Sequence, residues 1–199
     1  MRRGMTLLEL MLAISITTLV ASGIAGMLSG LSTGLVIGEE VRTGMLATSA
    51  SHRRVHLALG DPAGILLIES PDAVVWFGDA NAGGRLEPSE VGWLEFDVDR
   101  GELSLERVVF PEDWTALDRA RVDRPIAAGT DLREIRDDLR DQDLIHRKVL
   151  ADGLLEAEMA EGAMDSALRF DLLFDLRTVH TPATIAVPTR GLRPEEWTP

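Results

Sequence analysis

The chain has no cysteine among its 199 residues, which excludes disulfides, thiolate metal sites and cysteine nucleophiles and leaves the cellular compartment to be read from elsewhere. Tyrosine is also missing, and aromatics make up only 5%, as four Trp and five Phe. A core must therefore come mainly from Leu, Val, Ile and Ala, which a chain of this length can supply. Basic residues are scarce beside the acids: 20 Lys and Arg against 33 Asp and Glu leave a net charge of −13. Such an excess repels phosphate backbones, so no nucleic acid is expected as a partner. The histidines, at 52, 56, 146 and 180, show no ligand or triad spacing, and no glycine-rich phosphate loop leads into a lysine. No catalytic residue is therefore expected. Asp137, Asp138, Asp141 and Asp143 read as a solvated helix face.

What the sequence does have is one long uncharged run, from Leu10 to Ile37, longer than the roughly 20 residues that cross a bilayer core. A secretory signal has a shorter apolar stretch and a cleavage site beyond it, so an anchor is the better reading. Arg2 and Arg3 precede the run. Basic flanks stay cytoplasmic, which puts the acidic remainder on the far side of the inner membrane. Glu9 lies almost at the start of the apolar segment, where a carboxylate costs less than the roughly 2.5–3.5 kcal/mol expected at the bilayer centre. Thr6-Leu7-Leu8-Glu9 fits a capping box, in which both side chains satisfy backbone N–H groups at a helix start. Gly26, Gly30, Gly34 and Gly38 recur every four residues. Such a face lets helices approach closely in lipid, or else it merely loosens the helix.

The order Arg3-Gly4, then Met5-Thr6-Leu7-Leu8-Glu9, then an apolar helix resembles the type IV prepilins and the type II secretion pseudopilins. The resemblance implies that prepilin peptidase cuts after Gly4 and that Met5, standing where phenylalanine is more usual, becomes the methylated first residue. It implies that Glu9 serves subunit assembly, facing the new amine of a neighbouring pilin; a charge in an apolar setting is tolerated when paired. The implied division is a leader over 1–4, a transmembrane and assembly helix over 5–38, and a periplasmic pilin-like domain over 39–199. The implied fold is α+β, a long N-terminal helix packed on an antiparallel β-sheet. Length, the long post-membrane helix and the late strand pair make the chain most similar to a J-type minor pseudopilin or a W-type minor pilin. The implied role is initiation or tip assembly of a pseudopilus or pilus, with other pilins and the inner membrane as partners. The alternative is a membrane-tethered binding domain that does not polymerise.

Beyond the anchor the helical pattern continues. Val41, Met45, Thr48, His52, Val55 and Leu59 form an apolar stripe, with His52 a core or edge residue on it, and Gly60-Asp61-Pro62 ends the helix. Strands are expected at 64–69 and 73–77, in a hairpin of 94–98 with 103–105, and in a late pair around Leu155–Met159 and Leu168–Leu176. Residues 64–110 and 154–187 thus read as β-rich, and 111–150 as a charged insertion with a helix starting at Asp131. The tail from Pro188 reads as frayed.

Asp79 to Glu90 has the spacing of an EF-hand loop. Calcium would take oxygen from Asp79, Asn81, the Arg85 carbonyl, Glu87 and Glu90. Gly83 supplies no side-chain oxygen and the flanks read as strands, so the alternative is an ordinary Asp, Asn and Gly connection.

Overall fold

The computed structural model describes residues 7–78, 85–162, 167–176 and 179–194, with the side chains of all of these except 33–37 and 179. Helix α1 runs unbroken from Leu7 to Leu59, 53 residues. Hydroxyls inside its apolar part turn back on the helix: Ser15 donates to Met11 O at 2.9 Å and Thr17 to Ala13 O at 2.7 Å. In lipid these polar groups need partners from their own helix. Gly60 ends it at φ +62, its N–H reaching His56 O at 2.9 Å. That left-handed cap suits glycine, and Pro62 prevents any return to helix.

Two antiparallel sheets follow. The first has the order β1 (Gly64–Glu69), β2 (Asp72–Trp76), β3 (Val91–Asp97), β4 (Glu102–Val108), β5 (Ile145–Ala151). The second has the order β6 (Leu154–Glu161), β7 (Ala167–Leu176), β8 (Val179–Pro188). The end of α1 and the inner faces of both sheets share one core, in which Val55 and Leu59 meet Val75, Leu94, Leu105, Phe170, Phe174 and Ile185. A second core lies on the outer face of the first sheet, where Val74, Trp76, Val91 and Trp93 pack under Leu132, Leu139 and Leu144. Because β2 is covered on both sides, it reads as a continuous apolar run, whereas β7 alternates.

The outer cover is α3 (Leu132–Asp141), capped by the Asp131 carboxylate, which accepts from Arg133 N at 2.8 Å. Trp93 Nε1 donates to Leu132 O at 2.9 Å, tying the helix to the sheet. A shorter helix, α2 (Ala116–Val122), carries its own capping box from Thr115 and Asp118. The α+β architecture therefore agrees with expectation, and so do the helix length and the Asp131 start.

Three local expectations change. The antiparallel surface is two sheets, and β5 begins inside the segment read as a charged insertion. It is an edge strand, and Arg147 and Lys148 are the charged chemistry that keeps an edge from pairing with strangers. The expected strand at Leu155 carries a register shift between Leu154 and Glu156, which leaves Leu155 exposed while Ala157 and Met159 stay buried. The tail is tied down as far as Leu192: Arg190 N donates to Pro62 O at 3.0 Å and Leu192 N to Ala63 O at 2.8 Å.

Candidate membrane and assembly helix

Over Leu7–Ser32, 26 residues, α1 is long and apolar enough to cross a membrane, and none of that stretch is buried against the rest of the chain. Gly4, Met5 and Thr6 lie outside the described residues, and with them the proposed cut and one half of the capping box. Glu9 falls in the first turn of α1, where a carboxylate complements the positive end of the helix.

The glycines divide into two groups. A Cβ added at Gly26, Gly30 or Gly38 would meet nothing within 4 Å, so the chain itself makes no use of their smallness; the surroundings of Gly34 are outside the described side chains. Gly44 differs. A Cβ there would lie 2.5 Å from Leu176 Cδ1 and 2.8 Å from Thr181 Oγ1, because α1 docks on the second sheet at that point.

This docking corrects the expected stripe. Gly44, Ser51, Val55 and Leu59 are buried, with Ala47 and Thr48 half-buried between them. Met45 and His52 point to solvent, and Val41 stays 38% exposed. Around Gly44 the reason is distance: where the helix lies close to the sheet, the small residue faces the strands and the larger neighbours Val41, Met45 and Leu46 are left outside. Val41, Met45, Leu46 and Leu57 consequently form exposed apolar surface on α1 beyond the membrane span.

Of the calcium loop, Asp79 and Asn81 lie outside the described residues. Arg85 is exposed, Glu87 precedes a single 3-10 turn, Pro88–Glu90, and strand β3 follows. Glu90 is 2% exposed, and one carboxylate oxygen accepts the Trp76 indole N–H at 3.2 Å. Glu90 thus has a place in the second core whether or not calcium binds. No group of three or more His, Cys, Asp or Glu able to hold a metal occurs among the described residues.

Sequence reasoning missed one charged cluster. Arg133 reaches Glu69 at 2.7 Å, Arg136 reaches Glu95 at 3.6 Å, and Arg140 reaches Glu106 at 2.7 Å, so α3 is clamped to the sheet along one side. The signal was present: positions 133, 136 and 140 have helical spacing, as do Leu132, Ile135 and Leu139.

Residues 1–25 match the family model for the prokaryotic N-terminal methylation motif. The match takes in Gly4, Met5 and Glu9 and runs into the apolar part of α1; it supports a type IV prepilin-like chain. No curated protein and no solved structure matches this sequence.

Proposed function

We propose that the chain is a minor pilin-like structural subunit, cut after Gly4 by prepilin peptidase, methylated at Met5, and built into the initiating or tip complex of a type II secretion pseudopilus or a type IV pilus. The observation that carries this reading is continuity: the methylation motif leads directly into one 53-residue helix. Its first half is bare and apolar, and its second half is docked on a β domain. The helix can therefore leave lipid for a bundle of like helices without refolding the domain. Gly26, Gly30 and Gly38 offer the close approach such a bundle needs, and the exposed Met45, Leu46 and Leu57 extend the apolar surface outward.

Cleavage removes Arg2 and Arg3, so the side-chain charge moves from −13 by two to −15. It also creates a cationic amine at Met5. Glu9 of a neighbouring subunit supplies the opposite charge, and pairing lowers the cost of holding both in an apolar bundle. The narrower assignment is a J-type minor pseudopilin or a W-type minor pilin, resting on the length of the post-membrane helix and the late strands.

Mass spectrometry of the protein extracted from membranes tests the reading. A mature chain starting at methylated Met5 is expected, and retention of residues 1–4 would sink it. Glu9→Leu should insert and be cleaved but fail to enter the assembly; normal incorporation would remove Glu9 from the assembly role. The second reading, a tethered binding domain, draws on a cleft of ≈ 480 Å³ between strands β1 and β6, and it is favoured if the mature chain never leaves the membrane. Calcium at Asp79–Glu90 is a separate proposal: calorimetric titration at millimolar calcium should give heat that Asp79→Ala abolishes, and no heat rejects the site.

A further inference from the structure

His52 and His56 sit one turn apart on α1, their ring centroids 4.4 Å apart and their planes inclined by 44°. Val55, between them in sequence, and Leu59, just after, are 0% and 1% exposed. The backbone carrying both imidazoles is thus held by the core, while His52 itself faces solvent. From Ser32 to His52 the helix rises about 30 Å, which places the pair well outside the membrane span.

The ring separation suits shared coordination. A divalent ion about 2.1 Å from one nitrogen of each imidazole lies roughly 3.2 Å from each ring centre. Two such vectors at about a right angle separate the centres by about 4.5 Å. We propose that His52 and His56 form a two-histidine clasp for a late first-row divalent cation, copper, zinc or nickel, on the solvent side of α1. Imidazole is the ligand type these ions prefer, and copper should bind tightest in the ordinary affinity order. No third His, Cys, Asp or Glu joins the pair among the described residues, so water completes the coordination in the single chain. The sequence reading missed the pair because it placed His52 on the buried stripe.

The test uses the full chain in detergent, with Cu²⁺ as the probe. Electron paramagnetic resonance should give the signature of two equatorial imidazoles at one copper per chain. His52→Gln and His56→Gln should each reduce this to one imidazole and weaken binding at least about tenfold, since the second ligand of a chelate acts at high effective concentration. His146→Gln and His180→Gln should change neither. Circular dichroism checks that each variant keeps its helix. A wild-type signal with no more than one imidazole would overturn the proposal. So would a His52→Gln/His56→Gln double variant that binds copper as tightly as wild type, because the acidic surface would then be the binder.

Discussion

Replacing Gly44 by valine tests whether close approach is what docks α1 on the domain. In a free helix the change helps: glycine is about 1 kcal/mol worse than alanine in a helix interior and valine about 0.6 kcal/mol worse, so the gain is roughly 0.4 kcal/mol. Docking opposes it. The first added carbon already falls 2.5 Å from Leu176 Cδ1 and 2.8 Å from Thr181 Oγ1, and valine adds two methyl groups in the same space. Leu176 can swing its end, but Thr181 belongs to β8, paired with Phe174 of β7, and cannot withdraw without moving the strand. Overpacking of this kind costs about 1–3 kcal/mol. The clash therefore outweighs the propensity gain, for a net loss of roughly 0.6–2.6 kcal/mol.

For a chain of this size that loss lowers Tm by about 1–10 °C, readable by thermal unfolding of the full chain in detergent. Gly38→Val is the control. It lies on the same helix with nothing within 4 Å of an added Cβ, so it should leave Tm unchanged or slightly raised. Equal Tm values for the two variants would refute the reasoning, because helix propensity alone would then account for both.

Arg140→Met leaves the Glu106 carboxylate, 3% exposed, without its 2.7 Å partner; urea unfolding should register a loss of about 2–3 kcal/mol, and the paired Arg140→Met/Glu106→Leu variant should recover most of it. Full loss in the double variant would mean that the pair does more than neutralise a buried charge. Asp72 gives a pH dependence. Burial pushes its carboxyl above the ordinary 3.8, with Glu95 adding to the rise, while the Phe96 backbone and the cations Arg133 and Arg136 pull the other way. A raised pKa in the folded state means that ionisation opposes folding. This contribution is absent while the group is protonated, below its ordinary value, and sets in as pH climbs through the raised one. Asp72→Asn should therefore be the more stable chain at neutral pH, with its advantage fading on acidification; an advantage that grows towards low pH would contradict the burial argument.

Period and punctuation made most of the fold legible in advance. Leu168, Phe170, Leu172 and Phe174 alternate because β7 buries one face only, and Gly60 with Pro62 marks the end of α1 within a residue. Asp131 could be read as a helix start because its side chain does the capping locally. What stayed hidden was chosen by neighbours distant in sequence. His146, Arg147 and Lys148 resemble loop chemistry until Leu105, Glu106 and Arg107 pair with them and make an edge strand. The docked face of α1 was hidden for a deeper reason. Hydrophobicity ranks residues by what they gain on leaving water, which favours Val41 and Met45. A helix lying against Leu176 and Thr181 instead selects whatever lets the backbones meet, which favours Gly44, Ala47 and Ser51. Around Gly44 the larger Val41, Met45 and Leu46 are left outside, and only further along, at Val55 and Leu59, do large apolar side chains of α1 enter the core. The leader motif escapes the problem because peptidase recognition reads neighbouring residues along the chain. The motif is thus readable from the first residues alone, while the docked face of α1 follows from Leu176 and Thr181, which lie far along the chain from Gly44.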